Sequence, residues 1–588
     1  MISMPRTAAT QKKRPQRAKV WTTATIIVTG ALTWAALALA AAPASKKGPP
    51  SKAGGGFSPA EKAAVAAITP ATVGPHIRYL ADDLLEGRAP GSRGEKLAVK
   101  YVAAQLESFG LEPAGEAGSF FQKVPLIGIT PTLPKAVTVQ AGAKKLDLAL
   151  PNDLVVMSGV QTSDARIAAA DIVFVGYGII APEHNWNDYK DVDVRGKVVL
   201  VMNNDPESDP ALFGGKMRLW YGRWDYKYLQ AAKQGASGAI IIHTRPSAGY
   251  PWQVIETSNT NEKFELPAGG EPRLQARMWS TEEASRKLAE LGGKNLDALR
   301  AAAESRDFRP VSLGASFSVT FKNTVRKLDG VNVIGILRGS DAKLKEEAVV
   351  FTAHHDHLGV RTPKNGDAIY NGAVDNASGV AAMLSIARAA GMGDRPRRSL
   401  LFVAVTAEEQ GLLGSEWFCR NPTLPAGRMA ANLNMDAVNV NGRTSDLGFI
   451  GHGKSSLDAL VEAIAAAQGR TVHGDPYPDR GSFYRSDQFN FAKIGVPAIY
   501  AKGGPSYVGR PPEWGRQQAD VYEKTHYHQP SDQYDDTWDL GGTVQDAQLY
   551  LIAGFRIANA AELPAWKPGD EFEAARKAAL AAGDAVNK

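Results

Sequence analysis

Three strand-length apolar runs are each followed by polar residues that can bind a metal cation. The run at 349–353 leads into the sequence HHDH at 354–357, the run at 400–405 leads towards Glu408 and Glu409, and the run at 430–434 leads towards Asp436. Runs of this length and composition predict buried strands. In open α/β sheets, ligands bind beyond the carboxyl ends of the strands. The sequence therefore predicts a metal site at that edge of a sheet.

Taken singly, the motifs have more than one interpretation. A His directly after a buried strand can bind zinc through one ring nitrogen, while a carboxylate two residues later orients the other nitrogen. The motif at 354–357 offers three histidines, so the register stays open, and an exposed polar loop has the same composition. Asp375 lies in the sequence NGAVDNASG at 371–379, where an acidic residue before a helix also suits a simple N-cap.

The adjacent carboxylates of Glu408 and Glu409 are more informative. Two such groups after a core strand repel and desolvate each other unless a cation or a proton compensates. One of them could bind a metal while the other moves a proton, although a solvated acidic turn is an alternative. His528, in the sequence THYHQPSD at 525–532, is a late loop histidine, and a lone histidine is more often structural than functional.

In order along the chain, the motifs are HxD, DNxSG, EE, NxD and HxPxD. This series resembles the co-catalytic zinc aminopeptidases, a family related to glutamate carboxypeptidase II, the transferrin receptor and glutaminyl cyclase. The resemblance covers about residues 66–130 and 325–562. It implies two zinc ions per chain and a zinc-exopeptidase (phosphorylase/hydrolase-like) fold.

The resemblance also implies a role for each matched residue. It selects His354 as a ligand and places His355 and His357 outside the coordination sphere, while Asp487 gives structural support. The remaining roles are Asp436 as the second ligand of the His354 zinc, Glu409 and His528 as ligands of the other zinc, Asp375 as the bridging carboxylate, Asp356 as the orienting partner of His354, Glu408 as the general base, and Tyr527 and Arg485 as groups that steady the oxyanion.

The implied activity is hydrolysis of N-terminal residues from peptides with a free N-terminus. A dipeptidase or carboxypeptidase of the same family is one alternative, and a glutaminyl cyclase-like transferase with one zinc is another. The carboxylates of Asp375, Glu409 and Asp436 are all present beside Glu408, which favours hydrolysis. A receptor-like binding protein would lack ligands or the base, and this chain lacks none.

Strands and helices alternate from about 330 to 562, which predicts an α/β fold with a mixed, mostly parallel sheet and helices on both faces. We expect a discontinuous peptidase domain at 66–136 and 322–562 with a tail at 563–588. Residues 137–321, here called the insertion, are β-rich and resemble a protease-associated (PA) domain through 174–179, 196–201 and 231–239. The segment 475–515 is rich in Pro and Gly and is expected to form loops that select the substrate side chain.

The formal charge of +6 does not describe the main part of the chain. Residues 1–52 hold nine of the 67 Lys and Arg residues and no acidic residue, so the remainder has 58 basic and 61 acidic residues. This balance gives no sign of a nucleic-acid surface. Residues 1–42 have the pattern of a signal peptide, followed by a flexible linker at 43–60, so export is predicted. The alternative is an uncleaved membrane anchor formed by residues 20–39. Cys419 is the single cysteine, so no intrachain disulfide exists.

Overall fold

The computed structural model describes residues 56–210 and 212–585. The predicted signal peptide, the alternative anchor at 20–39 and most of the linker lie outside these residues. Within the described ranges, no helix is long and apolar enough to cross a membrane.

Helices and strands alternate through most of the described chain. The helices are α1 Pro59–Ala66, α2 Pro70–Leu80, α3 Arg93–Ser108, α4 Trp224–Lys233, α5 Arg245–Ala248, α6 Trp252–Asn259, α7 Glu282–Leu291, α8 Leu296–Ala302, α9 Ser378–Met392, α10 Leu413–Arg420, α11 Leu457–Ala467, α12 Gln488–Lys493, α13 Trp514–Thr525, α14 Gly541–Asn559 and α15 Glu573–Ala585. The strands are β1 Glu112–Pro113, β2 Phe121–Thr132, β3 Ala136–Ala141, β4 Lys144–Ala149, β5 Leu154–Ser158, β6 Asp164–Phe174, β7 Ile180–Ala181, β8 Trp186–Asn187, β9 Val198–Met202, β10 Gly238–His243, β11 Lys263–Glu265, β12 Ala276–Thr281, β13 Val311–Leu337, β14 Ala348–His354, β15 Gly359–Lys364, β16 Asp367–Tyr370, β17 Ser399–Val405, β18 Met429–Asn434, β19 Asp446–Ile450, β20 Thr471–His473 and β21 Ala498–Gly503.

The peptidase part of the sheet is mixed, with a parallel centre. Strands β17, β14, β18 and β21 are neighbours in that order and run parallel. Antiparallel strands flank them, with β13 beside β17 and β19 beside β21. This arrangement confirms the predicted fold class. The three apolar runs that precede the candidate ligands form β14, β17 and β18, which are buried along their whole length.

The central strands are apolar on both faces because helices cover both. Val349 and Phe351 point into a core shared with α9 and α14, whereas Val350 points into a second core with Phe418 of α10 and Phe491 of α12. Successive strand residues face opposite sides of a sheet, so the sequence of a strand that is buried on both sides is an uninterrupted apolar run.

The insertion continues the same sheet through a long two-stranded ribbon. Strands β2 and β13 pair antiparallel over twelve residues, and β13 then pairs with β6. Beyond β6 the strands β9, β10 and β12 run parallel, and β5 closes that edge antiparallel. Two apolar clusters cover the two faces of this part of the sheet. The assignment of the insertion to the PA family stays a prediction.

The sequence was less informative about the segment 475–515. The structure shows that this expected loop region contains α12, β21 and the first residues of α13. Strand β21 has the sequence AIYAKG, and only its first four residues are buried. The short apolar stretch lies between Gly- and Pro-rich sequences, so its periodicity was too brief to predict a strand.

Candidate metal centre

The parallel register of the central strands brings the candidate ligands to one edge of the sheet. His354, the last residue of β14, lies opposite Val405, the last residue of β17, and Thr352 lies opposite Asn434 at the end of β18. The chain leaves all three strands at the same edge. The side chains of Glu408 and Asp436, which follow those strand ends directly, therefore converge on His354.

The first half of the site is built around His354. Its Nε2 lies 3.3 Å from Oδ1 of Asp375 and 3.5 Å from Oδ1 of Asp436. Ligand atoms of these three residues all lie within 4.8 Å of one another. The imidazole is buried. One nitrogen and two carboxylate oxygens at this spacing suit a zinc ion.

The second half of the site is built around His528, which follows α13. Its Nε2 lies 3.3 Å from Oδ2 of Asp375 and 3.0 Å from Oε2 of Glu409. The backbone of His528 has a φ of 56°, a left-handed conformation that is costly for a residue with a Cβ and that clusters at functional sites. Asp375 thus presents one carboxylate oxygen to each histidine.

His357 lies closer to the site than the sequence predicted. Its Nδ1 is 2.6 Å from Oε1 of Glu409, and its ring meets the His528 ring edge-on at 5.7 Å. His357, Asp375 and Glu409 also have ligand atoms within 4.8 Å of one another. Glu409 is therefore flanked by two histidines, one at each carboxylate oxygen.

Asp356 contacts His354 differently from the predicted arrangement. Nδ1 of His354 lies 3.2 Å from the backbone oxygen of Asp356 and 3.7 Å from its carboxylate Oδ1. The carboxylate instead accepts hydrogen bonds from the backbone N–H groups of Glu408, at 3.0 Å, and Glu409, at 3.4 Å. Asp356 therefore fixes the turn that carries both glutamates, while its main chain orients the imidazole.

Arg88 supports the site from the N-terminal segment. Its guanidinium is buried and donates hydrogen bonds to the carbonyl oxygens of His355 at 2.7 Å, Asn371 at 2.6 Å and Gly372 at 3.0 Å. It thereby joins the loop after β14 to the loop that carries Asp375. Sequence reasoning missed this role, because these three partners lie more than 260 residues away along the chain.

Ser258 is a second contribution that the sequence did not reveal. This residue of α6, in the insertion, has its Oγ 2.8 Å from Nδ1 of His528. The sequence motif around His528 contains no partner for this nitrogen. The structure therefore shows that the insertion touches a candidate ligand directly.

The electrostatics of the centre suit cations. The nearby carboxylates raise the pKa of His528 to about 9 despite its burial, and the neighbouring imidazoles of His354 and His528 hold the pKa of Asp375 well below its usual range, also against burial. Nε2 of His354 is buried without a hydrogen-bond partner among the described residues. The electrostatic field stabilises added positive charge, and nitrogen and oxygen donors lie at a suitable spacing. Both features fit the zinc that the sequence resemblance implies.

Glu408 lies beside this donor set. Its Oε2 is 3.9 Å from Nε2 of His354. Burial raises its pKa well above the usual range, and the charges of Asp436 and Glu409 act in the same direction. The pKa values of Asp375 and Glu409 are lowered, so the carboxyl group of Glu408 has a higher proton affinity than either.

The cleft that is lined by Asp375 and Glu408 is also lined by Tyr527 and Arg485. Burial raises the pKa of Tyr527 well above its usual range, although the nearby guanidinium of Arg485 opposes this. Arg485 lies within hydrogen-bonding reach of Tyr527, and its guanidinium carbon is 5.4 Å from the ring centroid of Tyr250 in the insertion. The cleft has a volume of about 350 Å³, in the range of small-molecule sites.

Comparisons with known proteins agree with this geometry. Residues 332–552 match the model of peptidase family M28. The chain is 26% identical to a probable glutamate carboxypeptidase, AMP1, of Arabidopsis thaliana over 404 residues, which cover 65% of this chain and 53% of that protein. It is 34% identical to the aminopeptidase NAALADL1 of Rattus norvegicus over 110 residues, which cover 18% of this chain and 13% of that protein.

A solved structure shares the fold. The aminopeptidase from Aneurinibacillus sp. strain AM-1 superposes with a TM-score of 0.51 at 21% identity, covering 86% of this chain and 97% of that chain. The chain spans about half the length of AMP1 and a smaller share of NAALADL1. The segment 332–552, which matches the model of peptidase family M28, includes all the candidate ligands and Glu408, and we conclude that the candidate metal centre lies in an M28-like segment of the chain.

Proposed function

We propose that this protein is an exported aminopeptidase that holds two zinc ions and removes N-terminal residues from peptides with a free N-terminus. The observation that carries the proposal is the shared carboxylate: the two oxygens of Asp375 lie 3.3 Å from Nε2 of His354 and 3.3 Å from Nε2 of His528. His354 with Asp436, and His528 with Glu409, would complete the two cation sites. Export rests on the signal-peptide pattern at residues 1–42.

The ions, when bound, would supply Lewis-acid polarisation of the scissile carbonyl and would make water acidic enough to act as a nucleophile near neutral pH. Glu408 would take a proton from the attacking water and pass it to the leaving amine nitrogen. Its position next to the donor set, without being needed as a ligand, and its raised pKa support this role.

Tyr527 would stabilise the negative charge that develops on the carbonyl oxygen. A tyrosine with a raised pKa keeps its proton near neutral pH, so its hydroxyl can donate a hydrogen bond. Arg485, within reach of that hydroxyl, would add positive charge and fix the orientation of the phenol. Donors placed in advance towards a developing oxyanion are often the largest single contribution to catalysis.

The test compares zinc-loaded wild type with Glu408→Gln on aminoacyl-p-nitroanilides, each with a free and with an N-acetylated amine. We expect cleavage of the free-amine substrates only, and a fall in kcat of about 10²- to 10⁴-fold in the variant with its zinc content unchanged. Glu416→Gln, on the surface of α10, is the matched control. Cleavage of acetylated substrates, or an active Glu408→Gln enzyme, would refute the proposal.

A carboxypeptidase or dipeptidase is the second candidate, and a group of arginines favours it. Arg218 and Arg223 of the insertion lie close to Arg485 and Arg480, both of which line the cleft. Nε and Nη2 of Arg218 are buried and have no hydrogen-bond partner in the described part of the chain. Asp205 offsets part of the charge. A substrate carboxylate in the cleft would suit the guanidinium groups of Arg480 and Arg485, whose positive field Arg218 and Arg223 strengthen.

Dipeptides and C-terminally amidated peptides separate the two candidates. A carboxypeptidase would cleave N-acetylated dipeptides with a free carboxylate, whereas a dipeptidase would require both free termini. Either enzyme would lose activity when the carboxylate is amidated. Arg218→Gln would then raise KM for the free-carboxylate substrates alone. An aminopeptidase would depend on the free amine and would tolerate the amide.

A further inference from the structure

The second cation site depends on a residue outside the peptidase family segment. Ser258 lies in the last turn of α6, which belongs to the insertion. Its Oγ is 2.8 Å from Nδ1 of His528, and the two residues are 270 positions apart. The remaining nitrogen of the ring, Nε2, faces Asp375 and Glu409.

This contact decides which ring nitrogen is free to bind a cation. A neutral imidazole carries one N–H, and the nitrogen without it has the lone pair. When Ser258 accepts a hydrogen bond from Nδ1–H, the lone pair is on Nε2 and points at the two carboxylates. Partners of this kind fix the tautomer and orientation of histidine ligands. His354 has an equivalent partner within its own loop, because the backbone oxygen of Asp356 lies 3.2 Å from its Nδ1.

The end of α6 is held in place by charged donors from both parts of the molecule. Arg361, on β15 of the peptidase part, donates to the carbonyl oxygen of Thr257. Lys263, on β11 of the insertion, donates to the carbonyl oxygen of Ser258 at 3.4 Å. Arg361 is buried. These bonds anchor the backbone on both sides of the Ser258 hydroxyl.

We propose that Ser258 is a positioning residue for the second cation site, so that the insertion completes a site whose ligands all belong to the peptidase part. The proposal rests on the proposed role of His528 as a ligand. It predicts that the two sites respond differently to changes in the insertion. Loss of the Ser258 hydroxyl would weaken the site of His528 and Glu409 and would leave the site of His354 and Asp436 unchanged.

The experiment is a stepwise zinc titration of the full metal-free protein against a chromophoric chelator, which resolves the first and second equivalents. We expect Ser258→Ala to weaken binding of one equivalent by about 10- to 100-fold, as for other partners of ligating histidines. The other equivalent would bind as in wild type. Ser258→Thr, which keeps the hydroxyl, would restore most of the affinity. Cobalt in place of zinc gives a spectroscopic measure of the geometry at the affected site.

Thr260→Ala is the matched control, because this hydroxyl lies just after α6 and bonds only to the carbonyl oxygen of Glu256 among the contacts described. It should leave both equivalents unchanged. His528→Ala separates the two proposals. If it weakens one equivalent while Ser258→Ala weakens none, the Ser258 proposal is wrong and the ligand assignment holds. If His528→Ala weakens neither equivalent, the ligand assignment itself is wrong. Equal weakening of both equivalents by Ser258→Ala would also overturn the proposal.

Discussion

The two halves of the candidate metal centre are built in different ways. His354 and Asp436 come from the ends of neighbouring parallel strands, and the partner of the second His354 ring nitrogen belongs to the same loop. His528 follows a helix near the C-terminal end of the family segment, in a strained left-handed conformation, and its second ring nitrogen meets the insertion. Among the residues that the structure describes, Asp375 alone has carboxylate oxygens within 4.0 Å of both histidines.

The difference indicates how the centre depends on the rest of the molecule. Strand ends are fixed by the hydrogen-bond register of a sheet, so the His354 half is held by strands that are buried along their whole length. The His528 half depends on contacts between segments that are far apart in sequence. We therefore expect the His354 half to tolerate disturbance of the insertion and the His528 half to respond to it.

Replacing Asp375, the carboxylate that faces both histidines, should have the largest effect, because both halves of the centre lose a donor. Asp375→Ala removes a donor from both halves, so we expect neither zinc equivalent to bind tightly and kcat/KM to fall by at least about 10⁴-fold, because the metal and acid–base contributions are lost together. Metal analysis after dialysis and a peptidase assay measure this. A variant that keeps one tight zinc would show that the carboxylate is not shared. Asp367→Ala, a carboxylate of β16 that belongs to neither group of candidate ligands, is the control.

Removing the histidines one at a time should separate the halves. His354→Ala and His528→Ala are each expected to lower the affinity of one zinc equivalent by more than the roughly 100-fold that follows loss of an outer partner. Each variant should retain the other equivalent. Isothermal titration with zinc measures both. If either single variant loses both ions, the two sites are not independent.

His357→Gln tests how strongly the position of Glu409 in the second half depends on His357. Nδ1 of His357 lies 2.6 Å from Oε1 of Glu409, and Oε2 of the same carboxylate faces His528. We therefore expect one zinc equivalent to weaken by about 10-fold without being lost. The other equivalent should be unaffected. Complete loss of one ion, as in His528→Ala, would instead identify His357 as a ligand. His452→Gln, a histidine paired with Glu462, serves as the control.

Weakening the anchor of α6 should have the smallest effect. Arg361→Met removes the donor to the carbonyl oxygen of Thr257, and the loss of such a charged hydrogen bond costs about 1.5–3 kcal/mol. Part of this cost should appear as a lower melting temperature and part as several-fold weaker binding of one zinc equivalent. Thermal unfolding with and without zinc, together with the zinc titration, separates the two. Weakening of both equivalents would contradict the proposed independence of the halves.

Much of the fold could be predicted from local sequence patterns. The apolar runs at 349–353, 400–405 and 430–434 are buried strands as expected, and helices such as α9 and α14 alternate with strands across the predicted range 330–562. These elements are long and strongly periodic, so their type is visible without knowledge of their neighbours. Segment 475–515 was predicted poorly, because its strand and its helix are short and lie between Gly- and Pro-rich sequences.

The candidate ligands were also predictable as a set, and the structure brings all of them together. Their order along the chain matches a family series, and their residue types suit zinc. Their supporting partners were not predictable. Arg88, Ser258 and the main-chain contact of Asp356 act through groups that many surface residues also possess, and nothing in the local sequence distinguishes them.

Local sequence patterns therefore predicted the three strands that precede the ligands, the ligand types and the edge of the sheet at which they meet. Long-range packing explains what the patterns missed: Asp375 faces both histidines, His357 lies against Glu409, and the insertion reaches His528. The physical reason is that secondary structure is encoded by periodicity over ten to twenty residues. Contacts such as Ser258 with His528, 270 residues apart, exist only when two parts of the fold are packed together.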